Sequence, residues 1–142
     1  MSRQVYIKTV FALLFAFSAL ASAGILPTEL GLPYLTTYVP DEYDGMGQNW
    51  GICQAENGVM YLANGNGVFE YDGVKWTWID HESRTARSIA AGPDNTIYVG
   101  YHNEIGYWRP DSSGHMVYTS LTKQLSSSVL GFRDVWATIV HD

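Results

Sequence analysis

Trp50, Asn64, Asn66, Arg87, His102 and Asn103 are the residues whose types and spacing could do chemistry. Trp50 and Arg87 stand 37 residues apart. They pair an indole that can stack on a sugar or an aromatic ring with a guanidinium fork that can hold a carboxylate through two parallel hydrogen bonds. Asn64 and Asn66 share one polar loop, and His102 and Asn103 lie on its counterpart further along the chain. That chemistry is recognition of a small molecule or glycan. The alternative for Trp50 is to pack between neighbouring units, and for Arg87 to pair with a local acid such as Glu82.

Catalytic and cofactor patterns find no support. The histidines at 81, 102, 115 and 141 never fall at i, i+4 and never form His-Glu-x-x-His, so zinc hydrolysis is not expected. There is no Gly-x-Ser-x-Gly elbow. Gly65-Asn66-Gly67 hints at a nucleotide loop, but the third glycine is replaced by Glu70 and a strand follows where a helix N-terminus is needed. Asp41, Glu42 and Asp44 lack the alternating oxygen spacing of a calcium loop and read as a solvated acidic turn. Cys53 is the only cysteine, which excludes an internal disulfide and multi-cysteine metal sites and suits a small buried hydrophobe in a strand. The chain is therefore expected to be no enzyme and to hold no metal or cofactor.

The elements that must position these residues come from an internal repeat. Ile52 to Ala63 aligns without a gap on Ile89 to Gly100, matching Ile52 to Ile89 and Tyr61 to Tyr98. The same offset of 37 carries on to match Val68 with Ile105 and Tyr71 with Trp108. A third copy begins at Trp136, where Ile139-Val140-His141-Asp142 is similar to Ile52-Cys53-Gln54-Ala55, with the spacing from the second copy stretched to 50. Self-similarity at this period signals a repeat architecture. Each copy reads as four short strands: 50–54, 59–63, 68–71 and 75–79, then 87–91, 96–100, 105–109 and 115–119. Asp72-Gly73 is a hairpin signal that needs positive φ. Four antiparallel strands in about 40 residues is the arithmetic of a β-propeller blade, so the fold class expected is all-β with about two blades plus one strand.

Composition agrees with strands joined by tight turns. Of 142 residues, 46% are hydrophobic and 15% charged, with fourteen glycines, ten tyrosines, five tryptophans and five phenylalanines. Arg3 and Lys8, the apolar run Val10 to Ala21 and the Ala21-Ser22-Ala23 site have the order of a secretory signal peptide over 1–23. The apolar run is too short to span a bilayer, which takes about 20 residues. Its removal leaves six Lys/Arg against fourteen Asp/Glu, a net of −8, which disfavours nucleic acid and anionic membrane as partners.

Gln48-Asn49-Trp50-Gly51-Ile52, Gly58-Val59-Met60-Tyr61 and Asn66 to Trp76 resemble the opening blade of periplasmic two-component regulator propellers, the sensor regions of hybrid histidine kinases and related receptors. The resemblance covers about residues 34 to 142. It implies an extracytoplasmic, periplasmic or secreted, ligand-sensing region. In that family a membrane helix and a kinase or cyclase output module follow the propeller, and neither is present in this sequence. The expected organisation is a signal peptide at 1–23, a lead-in at 24–48, blade one at 49–79, blade two at 80–120, and a linker with the first strand of blade three at 121–142. Two blades cannot close a ring that needs about four to eight. The chain is thus expected to be a truncated piece of a longer product, or to close a ring with other copies. In a propeller the inner strands begin at the face where the loops between second and third strands gather, which would bring the six residues together. The rival classes are a fragment of a propeller-fold lyase, glycosidase or quinoprotein, and a structural or adhesive repeat protein of the cell surface.

Overall fold

The computed structural model describes residues 34–80, 82 and 84–141. The expected signal peptide at 1–23 lies outside the described residues. From Thr37 onward the chain forms a compact unit built mostly of strands. No described helix is long and apolar enough to cross a membrane.

A one-turn helix, α1 (Pro40–Tyr43), comes first. Proline at its first position costs no hydrogen bond there. The Glu42 carboxylate reaches back to accept from the Val39 N–H at 3.0 Å, and Asp44 closes the turn at φ 58°. The acidic turn of the sequence is thus a helix cap.

Two four-stranded antiparallel sheets follow, each a simple meander. The first runs β1 (Asn49–Gln54), β2 (Met60–Asn64), β3 (Gly67–Tyr71) and β4 (Trp76–Trp78). The second runs β5 (Ser88–Ala91), β6 (Ile97–Gly100), β7 (Ile105–Pro110) and β8 (Met116–Ser120). The turns between them are built as their residues require. Gly73 sits at φ 99°, while Asp72 Oδ1 accepts from the N–H groups of Val74 (2.8 Å) and Lys75 (2.7 Å).

Both faces of the first sheet are covered, so β2 is apolar almost throughout rather than alternating. Tyr61, Ala63 and Val68 join Ala86, Ile89, Ile97, Val99, Tyr101 and Trp108 in the main core, which lies between the sheets. Leu62 and Phe69 point the other way, beneath Tyr43 of α1, with Trp76 and Trp78 at the margin. The Tyr43 and Phe69 rings meet edge to face at 5.4 Å. A fully buried side chain such as Phe69 contributes about 1.5–3 kcal/mol.

The sheets meet along their first strands, β1 against β5. Gly51 permits the approach, since a Cβ there would stand 3.2 Å from Ile89 Cγ2. One hydrogen bond passes the chain from the first sheet to the second, from Ala86 N to Asn64 O at 3.1 Å. Its counterpart runs from Val135 N to Tyr101 O at 3.1 Å, and Tyr101 follows Asn64 by the repeat length.

Over 136–141, where the sequence places the first strand of a third copy, the chain makes no ladder. A strand exists only beside a partner strand, and none stands there among the described residues. The segment is instead tied to the second sheet through Ser88, whose Oγ meets Thr138 Oγ1 at 2.7 Å and also donates to Val135 O at 2.7 Å.

Candidate functional site

The residues that open successive copies of the repeat converge. Trp50 lies near the start of β1, Arg87 directly precedes β5, and Trp136 follows the hand-over bond at Val135. The Arg87 guanidinium carbon stands 4.4 Å from the Trp50 ring centroid and 5.1 Å from that of Trp136. The two indoles meet at 5.3 Å and 66°. A cation over aromatic faces gains about 0.5–2 kcal/mol, more as water is excluded.

Asp134 fixes the arginine. Its Oδ1 lies 3.3 Å from Arg87 Nε and 3.1 Å from His102 Nδ1. With Nε turned to Asp134, the remaining guanidinium donors are the terminal amino groups. Trp136 keeps 60% of its surface exposed and the His102 side chain 58%, so the stack has a face open to a ligand. The indole Nε1 of Trp50 is sealed from water and has no hydrogen-bond partner among the described residues. The arrangement can stack a sugar or aromatic ring on Trp136 and steer a carboxylate toward Arg87.

Asp134 titrates below the ordinary carboxylate value of 3.8. Partial burial acts in the other direction, but the hydrogen bonds from His102 and Arg87 and their charge outweigh it. A carboxylate depressed in the folded state adds stability above its unfolded value and loses it as pH falls through the folded one. The 134–138 segment should therefore stay docked down to 3.8 and release only below it, read as a change in tryptophan emission. Asp134→Asn should remove that acid step; an identical step in the variant would place its origin elsewhere.

The structure brings together Trp50, Arg87 and His102 from the sequence-derived set and leaves the asparagines aside. Asn64 has no exposed surface, and its amide is engaged entirely within the fold, so it is a framework residue and not a ligand contact. Asn66 is half-buried; its carbonyl accepts from Trp78 Nε1 at 3.1 Å, and its amide reaches Asp44 O at 3.4 Å. Asn103 is a turn residue at φ 53° whose N–H donates to Arg133 O. Arg87 pairs with Asp134 and not with Glu82, which lies 3.3 Å from Arg84 instead. Cys53 packs against the main core, and burial pushes its thiol up to about 11.

Sequence reasoning missed Asp134 and Trp136 as site residues. Trp136 did carry a signal, since Trp50, Arg87 and Trp136 each open one copy of the repeat. Asp134 carried none, for its partners are 47 and 32 residues away. Among the described residues, no group of three His, Cys, Asp or Glu side chains is placed to hold a metal ion. Comparisons with protein-family models, with curated proteins and with solved structures found no match.

Proposed function

We propose that the chain is part of an exported β-propeller sensor of the periplasmic two-component regulator type, with the two sheets as its blades and a small acidic sugar as its ligand. The observation that carries this reading is the convergence of Trp50, Arg87 and Trp136, which open successive units of the repeat, into one stack. In a ring of blades, residues at the start of the inner strands gather at the mouth of the central channel, where an aromatic face and a cationic fork suit a carboxylated sugar. The equivalent hand-over bonds at Ala86 and Val135 support the same geometry, because each returns the chain to the same place in the repeat, at the end of a unit's second strand. About four to eight blades complete such a ring, so the two sheets supply part of one.

Calorimetry with a glucuronate-containing disaccharide tests the site. Arg87→Ala is expected to weaken binding by about 1.5–3 kcal/mol, the worth of a hydrogen bond to a charged group. Trp136→Ala should weaken it by about 1 kcal/mol through lost stacking. Equal affinity in wild type and both variants, or none in any of the three, would make the stack a structural device.

Export is tested separately. Processing after Ala23 would give a mature protein whose first residue on N-terminal sequencing is Gly24. A membrane-retained product that still begins at Met1 would defeat the export reading.

A further inference from the structure

A second recess lies away from the Trp50–Arg87 stack, between the outer strands of the two sheets. It is a cavity of about 520 Å³ beside β4 and β8, a volume in the range of small-molecule sites. Trp78, Trp108 and Tyr118 give it aromatic walls. Its charged lining is three carboxylates, Glu70, Asp80 and Glu82, against the single guanidinium of Arg84.

The protein already shows what this lining holds. The Arg84 guanidinium stands against two phenol rings that meet edge to face, 4.5 Å from the Tyr101 centroid and 4.4 Å from that of Tyr118. Asp80 Oδ1 lies 3.4 Å from one of its nitrogens and Glu82 Oε2 3.3 Å from another. A cation packed against aromatic rings, with carboxylates as counter-ions, is the chemistry of aromatic sites for organic cations. One arginine does not exhaust the site, since three acids face it. Asp80 is 1% exposed with the Tyr101 phenol against its carboxylate, and its Oδ2 is sealed from water with no hydrogen-bond partner placed among the described residues. A buried carboxylate oxygen left unsatisfied is costly and calls for a donor.

We propose that this cavity binds a small organic cation, an amine or guanidinium compound, with Asp80 and Glu82 as counter-charges and the Trp78, Trp108 and Tyr118 rings as walls. An anionic ligand is disfavoured, because it would face three carboxylates and find the one guanidinium already paired.

Calorimetry and thermal melting of the chain with agmatine test the assignment, with succinate as the anionic control. Agmatine should bind saturably and raise the melting temperature, and succinate should do neither. Glu82→Gln removes a charge from the exposed rim without disturbing the core, and should weaken agmatine about tenfold, as expected for one charge-assisted contact. Glu70→Gln should weaken it less, through charge alone. No binding of agmatine, equal binding of succinate, or wild-type affinity in both glutamine variants would overturn the proposal. Binding of a tri-arginine peptide without binding of agmatine would overturn it in favour of a protein partner.

Discussion

Asn64→Asp is expected to destabilise the fold by about 3–5 kcal/mol in urea unfolding at neutral pH, although it exchanges only an amino group for an oxygen. Asn64 ends β2 with no exposed surface. Its amide nitrogen faces three acceptors: Met46 O at 2.7 Å, Asn49 Oδ1 at 2.6 Å and Gln48 O at 3.2 Å. Its Oδ1 accepts from the N–H groups of Met46 and Asn66, each at 2.9 Å. The side chain thereby ties the lead-in, β1 and the β2–β3 turn together, and its backbone oxygen takes the hand-over bond from Ala86. Aspartate would turn an acceptor, and a buried charge, toward three oxygens. Asn64→Ala should cost less, about 2–4 kcal/mol, because water can enter the space and meet some of the orphaned groups. A loss under about 1 kcal/mol for the aspartate variant would show that these bonds are not what holds the lead-in.

The repeat made most of the β architecture legible, because hydrophobic spacing and turn glycines are local properties of a strand. Asp72-Gly73 marks a hairpin wherever it falls in a fold, and so the third and fourth strands could be placed from their own residues. The helix at Pro40–Tyr43 was not legible in this way. One turn shows no periodicity, and this one is held by Tyr43 lying over Phe69 and Trp76, partners that only the folded chain supplies.

The same distinction sorts the site residues. Trp50 and Arg87 occupy equivalent places in the repeat, and equivalence in sequence became adjacency in space. Asn64 also sits at a loop, where an asparagine is usually wet. Whether it is wet or buried was decided by Met46 folding across the turn at Gly65, a contact between residues far apart in the chain. The second cavity had no sequence signal at all. Arg84 meets Tyr101 and Tyr118, residues 17 and 34 further along the chain, only in the folded protein, and it pairs there with Asp80 four residues before it.

Arg84→Ala should destabilise the chain by about 2–4 kcal/mol, the second large effect. The mutation removes the counter-charge of Asp80, a carboxylate that keeps only 1% of its surface in water. Breaking a buried pair by deleting one partner costs about 3–5 kcal/mol; the expectation is set lower because the Arg84 side chain retains 24% of its exposure. Loss of the guanidinium also removes two ring contacts, from Tyr101 and Tyr118. The asymmetry between breaking and replacing the pair gives the sharper test. Asp80→Asn in the Arg84→Ala background removes the stranded charge, so the double variant should be more stable than Arg84→Ala alone by about 1–2 kcal/mol. A strictly additive double variant would mean that Asp80 and Arg84 do not act as a pair, and that Arg84 contributes through its packing against the two tyrosines alone.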